Sequence, residues 1–375
     1  MQKPLSYMMY FRNHKKTVLG AAVSIGISIL LIGAIQFYTL NMYESYERNF
    51  TKYEYASSIR SQKGDLSKDT VNKIKNNGSV DKVIKTGYFQ HRVRSVFGTD
   101  TSVDGFYADE KDIRYILGKM NFQFKEGTGL KNGDKKILLN ENTARFKNVK
   151  VGDFAGKDVS KDDYFPGKYK ISGILKGDNT TSFIAENPDK LECNSTEYQY
   201  LVFPKKGKMS ELNKFLKKFK SDEVKVETYD DDMKEEKQEL EGFNTVFNLV
   251  IILIIIVMSV VLGNSSYINY FNRRREIGIL KAIGHTRGSI IIKMIEEIGI
   301  SSLAGFSLGY LLLYVFAEVN NKFYLYPKGL TFFHITWSLF PKLLSIPLFI
   351  TIFSVIPVSR LLDKIEPISI IERIE

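Results

Sequence analysis

The chain has few cysteines and histidines, and it lacks the common sequence motifs of nucleotide-binding and hydrolytic sites. It contains one cysteine, Cys193, so no disulfide can form within the chain. Its four histidines are scattered and have no metal-ligand spacing with that cysteine. Phosphate loops of the type GxxxxGKS/T, GxSxG elbows and HExxH pairs are absent. The chain therefore has no P-loop ATPase of its own, and we expect no enzyme active site.

Charge is missing from the whole of the stretch 243–262. An uncharged apolar run of about 18 or more residues is long enough to cross the hydrocarbon core of a membrane. Three further segments, at 18–38, 298–317 and 339–362, are also predicted spans, although Lys342 and three prolines interrupt the last one. The first could instead be a cleaved signal peptide, but no small-x-small site stands out near Tyr38, which favours an uncleaved span.

Basic residues flank the predicted spans on one side, which identifies that side as the cytoplasm. They cluster at 3–16, 273–293 and 360–373. The predicted segments are an amphipathic cytoplasmic helix (1–17), a first span (18–40), an extracytoplasmic domain (41–241), a second span (242–267), a cytoplasmic loop (268–295), a third span (296–317), a short external loop (318–338), a fourth span (339–362) and a cytoplasmic tail (363–375). The sequence therefore predicts a multi-pass protein of the cytoplasmic membrane with both termini inside, and its composition indicates a bacterium.

The net charge of +11 is explained by this topology. Region 41–241 has 37 Lys and Arg against 34 Asp and Glu, a net charge of about +3. Its sequence lacks the one-sided Lys and Arg clustering that nucleic-acid binding needs. We therefore expect membrane lipid, and no nucleic acid, among the partners.

Region 41–241 contains two strand–helix–strand patterns. The first has a helix at 66–75, with Ser67 or Asp69 near its N-cap, before a strand at 80–93. The second has a strand at 198–203, a helix at 210–220 with Ser210 as its cap, and a strand at 224–229. Short β-like runs at 135–140, 149–154 and 169–175 lie between them. The predicted fold is an α-helical membrane protein with four transmembrane helices and a large α/β domain, made of a ferredoxin-like subdomain and a small β-rich insertion.

Small residues recur every fourth position in two predicted spans. They are Gly20, Ser24 and Ser28 in the first and Ser301, Gly305 and Gly309 in the third. Such spacing lets helix backbones approach closely, either within the chain or across a dimer interface. No predicted span has an acid or base near its middle, which argues against ion-coupled transport.

The cytoplasmic loop between the second and third spans has the pattern of a short amphipathic helix. Ile277, Ile279, Leu280 and Ile283 lie on one broad arc at 100° per residue, and Gly284 ends the helix. Such a helix can dock into a partner or lie flat on anionic lipid. The pattern alone leaves both open.

The run RRREIGILKAIGHTRGSI in this loop resembles the signature of MacB/FtsX-type ABC-transporter permeases, the type VII ABC superfamily. Other segments are also similar: YMMYFRNHKKTVLG before the first span, an external run containing Gly118, Ile137 to Leu139 and Val151 to Asp153, and the terminal IEPISIIERIE. Lys136 departs from the acid that usually precedes the external strand. The resemblance implies that a coupling helix is formed by Arg275, Glu276, Ile277, Gly278, Ile279, Leu280, Lys281, Ala282, Ile283 and Gly284.

The same resemblance implies a permease driven by two copies of a separate ATPase subunit, which would hold the ATP and Mg, so this chain needs no cofactor. The partner permease would be the same chain or a similar one. ATP hydrolysis would be coupled to extracytoplasmic movement by mechanotransmission, for export of, or resistance to, antimicrobial peptides or other amphiphiles. A membrane-fusion or cell-surface protein is a further expected partner. The alternatives are an FtsX-like regulator of cell-wall hydrolases and a membrane-anchored peptide receptor without ATP coupling.

Overall fold

The computed structural model describes residues 15–94, 100–177, 179–191, 198–330 and 339–363. Most of the predicted N-terminal amphipathic helix, Cys193, the cytoplasmic tail from residue 364 and part of the external loop lie outside the described residues. The chain divides into two compact units. The first contains residues 1–39, 242–319 and 333–375, and the second contains residues 40–241 and 320–332.

Helices dominate the first unit. They are four long ones, α1 (Lys15–Phe50), α6 (Tyr229–Asn272), α8 (Arg287–Asn320) and α9 (Leu339–Asp363), and the short α7 (Arg274–Ala282). The part of α1 from residue 40 and the part of α6 before residue 242 belong to the second unit. Within the described ranges, four helical stretches are long and apolar enough to cross a membrane: Val18–Glu54, Asn248–Asn272, Arg287–Lys328 and Leu339–Leu362. These agree in number and order with the four predicted spans. The third is longer than predicted at both ends, because α8 begins at Arg287 rather than near residue 296 and helical turns continue to Lys328.

The second unit is built on a twisted mixed sheet. Its strands are β1 (Ser57–Ser61), β2 (Val80–Arg94), β3 (Asp100–Ala108), β4 (Gln123–Gly127), β5 (Lys136–Asn140), β6 (Phe154–Ala155), β7 (Tyr169–Lys176), β8 (Ser182–Ala185), β9 (Tyr198–Pro204) and β10 (Val224–Glu227). The strand order is β10-β1-β9-β2-β3-β8-β5-β7-β4, with β6 paired to β7. Only β3–β8 and β5–β7 are parallel among the described strands.

Short helices cover both faces of this sheet. They are α2 (Lys68–Lys75), α3 (Glu110–Lys119), α4 (Glu141–Lys147) and α5 (Met209–Leu216). Successive side chains of β9 point to opposite faces of the sheet, so they belong to two separate cores. Val202 packs in one core with α2 and α5, and Leu201 packs in the other with α3. The amphipathic pattern of each helix, with apolar residues three or four positions apart, explains which of its sides is buried.

The sequence correctly predicted several elements and missed others. The hydroxyl of Ser67 accepts a 3.2 Å hydrogen bond from the Thr70 N–H, so the predicted N-cap of α2 is confirmed. The prediction for Ser210 is wrong, because α5 begins one residue earlier and its N-cap is Lys208. The predicted β-run at 149–154 is mostly irregular, with a turn at Val151 and Gly152, and only its last residue belongs to a strand, β6. Strands β3, β4 and β8 and helices α3 and α4 were not predicted.

Candidate coupling site

Arg273 lies at the one-residue break between α6 and α7. Its backbone N–H donates to the carbonyls of Asn269 and Tyr270, which ends α6. Its guanidinium donates to Glu276 at 2.9 Å and to both carboxylate oxygens of Glu297 at 3.1 and 3.2 Å. One arginine therefore connects the helix break, the first turn of α7 and the side of α8.

Glu297 is the buried carboxylate of this group, with 3% of its side chain exposed. It also accepts a hydrogen bond from the Tyr270 hydroxyl. Burial alone would lower the pKa of Arg273, but the hydrogen bond to Glu276 and the charge of Glu297 outweigh it and raise that pKa. The guanidinium therefore stays charged and compensates the carboxylate, because an unpaired buried charge would cost several kcal/mol, on the order of 3–5.

The other end of α7 is held by a different contact. The Lys281 ammonium donates to the Leu362 carbonyl at 2.6 Å, near the end of α9. Gly284 has φ = +94° and follows Ile283, the C-cap of the helix, as predicted for its C-terminal glycine. Helix α7 is therefore attached to α8 near its first residues and to α9 near its last ones.

The structure divides the predicted apolar arc of α7 into two sets. Ile277 and Leu280 are 0% and 3% exposed, and Ile277 packs with Met294 and Leu361. By contrast, Ile279 and Ile283 are 52% and 69% exposed. The expectation that all four form one docking surface is therefore corrected: a 100° step places them on a broad arc, but its inner half is already covered by this chain. Of the remaining members of the predicted coupling segment, Arg275, Glu276, Ala282 and Gly284 are exposed, Lys281 is half-buried and Gly278 is buried.

The small residues of α8 pack against α1 of the same chain. A Cβ on Gly309 would lie 2.6 Å from the Gly26 carbonyl oxygen, and one on Gly305 would lie 2.7 Å from the Ile25 Cβ. Gly20 has open space around it, while Ser28 donates to the Ser24 carbonyl within α1. The Ser301 hydroxyl likewise donates to the Glu297 carbonyl. Close approach in this chain therefore uses Gly26 in place of the predicted Gly20 series.

A cavity of about 40 Å³ adjoins Glu297 and is lined by both apolar and polar side chains. Its polar lining consists of Ser265, Ser266, Asn269, Tyr270, Glu297, Ser301 and Ser302. The sequence did not reveal this group, because Glu297 stands at the edge of the apolar run that defined the third span. Its position ten residues inside α8 becomes visible only when the helix is seen to start at Arg287.

The loop after α8 belongs to the second unit and packs on α4. The Arg145 guanidinium lies 4.4 Å above the Tyr326 ring, and Leu325 is fully buried. Gly329 has φ = +68°, and a Cβ there would lie 2.0 Å from the Asn142 carbonyl oxygen. A segment predicted only as a short external loop is therefore a packed part of this domain.

The described residues lack the ligand sets that bind metal ions in proteins. Over those residues there is no group of three or more His, Cys, Asp or Glu side chains that could hold a metal ion.

Comparisons with known proteins agree with the loop signature. Residues 248–364 match the family described as FtsX-like permease C-terminal, and this match confirms the resemblance to FtsX-type permeases. These residues include the apolar part of α6 and all of α7, α8 and α9. This part of the chain is therefore an FtsX-like permease domain.

An uncharacterized ABC transporter permease of Methanocaldococcus jannaschii is 26% identical over 271 residues, which cover 68% of this chain and 66% of the relative, just under two thirds of its length. The periplasmic region of MacB from Actinobacillus actinomycetemcomitans is 11% identical, with a TM-score of 0.31 over 50% of this chain and 94% of that one. The extracellular domain of the ABC-type transporter YknZ from Gram-positive bacteria is 10% identical, with a TM-score of 0.30 over 46% and 100% of the two chains. Structural likeness of this degree does not define a function.

Proposed function

We propose that this FtsX-like permease is the membrane subunit of an ABC transporter and that α7 receives the movement of a separate ATPase. The observation that carries the proposal is the division of α7 into an anchored side and a free side. Ile277 and Leu280 anchor it, whereas Ile279 and Ile283 are exposed beside the basic residues Arg274 and Arg275. Exposed apolar side chains at the centre of a charged surface are typical of a protein–protein contact.

The attachments of α7 suit the transmission of force. A helix that is tied to α8 through Arg273 and Glu297, and to α9 through Lys281, cannot move without moving those helices. Helix α6 continues from this break back to Tyr229, shortly after β10, so it would be the segment that carries the movement along the chain towards the second unit. A second route follows α8 forward into the loop that packs on α4.

The second unit would lie outside the cytoplasm, with both termini inside. The basic flanks of the predicted spans support this orientation. The strand order β10-β1-β9-β2, with helices after β1 and β9, supports the ferredoxin-like subdomain. Two ATPase subunits, with their ATP and Mg, and a second permease would complete the assembly, together with a membrane-fusion or cell-surface protein.

The proposed task is export of, or resistance to, antimicrobial peptides or other amphiphilic compounds. The absence of a charged corridor in the predicted spans supports work done outside the membrane. Control of cell-wall hydrolases and peptide sensing without ATP remain the two alternatives. In a deletion strain, unchanged susceptibility to peptides together with altered cell shape would favour hydrolase control over export.

Co-purification with an ATPase subunit from native membranes tests the coupling role. The double variant I279D/I283D should lose the ATPase, because it places two charges in the proposed contact. The control V151D/V159D changes two exposed valines of the second unit in the same way and should retain it. Retention of the ATPase by I279D/I283D would show that α7 is not the docking helix.

A further inference from the structure

Two separated stretches of the second unit hold an excess of positive charge. Residues 63–75 and 205–223 contain eleven lysines, no arginine and five Asp or Glu, a net charge of about +6. The whole region 41–241 carries about +3, so the remainder of that region is net negative, about −3. Charge in this domain is therefore segregated, although its total is close to neutral.

The fold brings these two stretches to the same face of the sheet. Val71 and Ile74 of α2 share one core cluster with Leu212 and Leu216 of α5, on the β9 side that carries Val202. Since both helices bury their apolar residues in this cluster, their polar sides form a common outer surface, which we call the lysine face. The sequence showed no one-sided clustering because about 130 residues separate the two helices.

Some lysines of the lysine face are paired with an acidic residue, and others have no such partner among the residues that the structure describes. Lys63, Lys73, Lys208 and Lys217 pair with Glu223, Asp69, Glu211 and Asp231. Five others are exposed and form no ion pair with any side chain that the structure describes: Lys68, Lys75, Lys206, Lys214 and Lys218.

Helix α3, which packs on the other core, presents a different surface. Its Arg114 pairs with Glu110, its Lys119 with Asp81, and its Asp112 with Lys82. The two sides of the sheet therefore differ in how far their charges are compensated by this chain itself.

The lysine face is rich in lysine and poor in arginine and exposed apolar side chains, and this composition favours some classes of binding partner over others. Without arginine it lacks the planar, bidentate groups that read single ligands, whereas lysine ammoniums attract phosphate as point charges. None of the exposed large hydrophobic side chains lies in these two stretches, all of whose residues the structure describes. A folded protein partner would need an apolar centre of contact, and single-stranded nucleic acid would need aromatic side chains for base stacking.

We propose that the lysine face binds a flexible linear polyanion with repeating phosphodiester groups. The five exposed lysines, which lie on α2, on α5 and in the turns on either side of α5, would neutralise successive phosphates, and release of the counterions of the polymer would favour binding. This interaction uses residues of the second unit alone. It does not depend on ATPase docking to α7.

Binding can be measured on the full-length protein in zwitterionic nanodiscs with a fluorescent abasic phosphodiester oligomer. The variant K68Q/K75Q/K206Q/K214Q/K218Q should raise the Kd at least about tenfold. It should also reduce the slope of log Kd against log salt by about 3.5, roughly 0.7 for each of the five phosphates that are no longer neutralised on a single-stranded polyanion. The matched control K111Q/K131Q/K135Q/K150Q/K157Q removes five exposed lysines outside the lysine face and should change the Kd by less than about twofold.

Three results would overturn the proposal. One is the absence of binding by the unmodified protein at low salt. The second is an equal reduction of affinity in both quintuple variants, which would indicate attraction by net charge only. The third is tighter binding of poly-glutamate of equal charge, which would indicate an acidic protein partner. If the quintuple variant has a lower Tm, K68Q/K75Q and K206Q/K214Q/K218Q are tested separately, and each should weaken binding in part.

Discussion

The hydroxyl of Tyr53 donates a 2.5 Å hydrogen bond to Oε2 of Glu227. Tyr53 lies just after α1, and Glu227 is the last residue of β10, two positions before α6 begins at Tyr229. Burial alone would raise the pKa of Glu227, but this hydrogen bond and the charges of Lys225 and Arg60 lower it to about 2. One ionised carboxylate therefore joins the segments through which the chain reaches and leaves the second unit.

The stability of the domain should depend on this carboxylate at acid pH. Because the folded pKa of about 2 lies below the ordinary value of 4.5, its contribution is complete above about pH 4.5 and is lost as the pH falls through 2. A shift of this size corresponds to about 3 kcal/mol. The difference in free energy of unfolding between the wild type and Glu227→Gln, measured from pH 6 to pH 2, should shrink by about that amount.

Tyr53→Phe keeps the ring and removes one hydrogen bond, so it should remove only part of this pH-dependent difference. A difference between wild type and Glu227→Gln that stays constant with pH would contradict the assignment.

The pair of Arg273 and Glu297 should behave non-additively. Arg273→Ala leaves a buried carboxylate without its cation and should destabilise the protein by about 3–5 kcal/mol. Adding Glu297→Gln removes that charge, so the double variant should be more stable than Arg273→Ala alone. A double-mutant cycle of unfolding in detergent gives the coupling energy. Strict additivity would show that the two side chains do not interact.

Gly329 should tolerate no side chain where its loop meets α4. Gly329→Ala combines a positive φ with a Cβ placed 2.0 Å from the Asn142 carbonyl oxygen. Gly133→Ala is the matched control, because Gly133 has φ = +81° but open space around it. Both should cost about 1 kcal/mol in backbone strain, and Gly329→Ala should cost clearly more. Equal decreases in Tm would mean that the loop does not pack on α4.

Because α1 and α8 pack closely, alanine substitution should lower the Tm at one glycine of the first unit and not at another. Gly309→Ala should lower the Tm in detergent, because its Cβ would lie 2.6 Å from the Gly26 carbonyl oxygen. Gly20→Ala meets no neighbouring atom and should be neutral or slightly stabilising, by up to about 1 kcal/mol, since alanine favours a helix. The opposite order of the two Tm values would contradict this helix contact.

The spans and the coupling segment were predictable because their signals are local. A long uncharged run must cross a membrane or be buried, and the loop signature is a contiguous run of residues. The exposed and buried sides of α7 were not predictable, since Ile277 and Ile279 are the same residue type two positions apart. Their difference comes from Met294 and Leu361, which lie in other helices.

The sequence by itself determined the four apolar helices, the helical loop between α6 and α8 and the α/β character of region 41–241, because each depends on the order of neighbouring residues. Only the tertiary structure decided which partner each side chain meets. Glu297 became a paired carboxylate when Arg273 reached it across the helix break, and lysines of α2 and α5 became one surface when both helices packed on Val202. The reason is physical: burial and charge pairing depend on distance in space, and long-range contacts close only when the sheet and the helices pack.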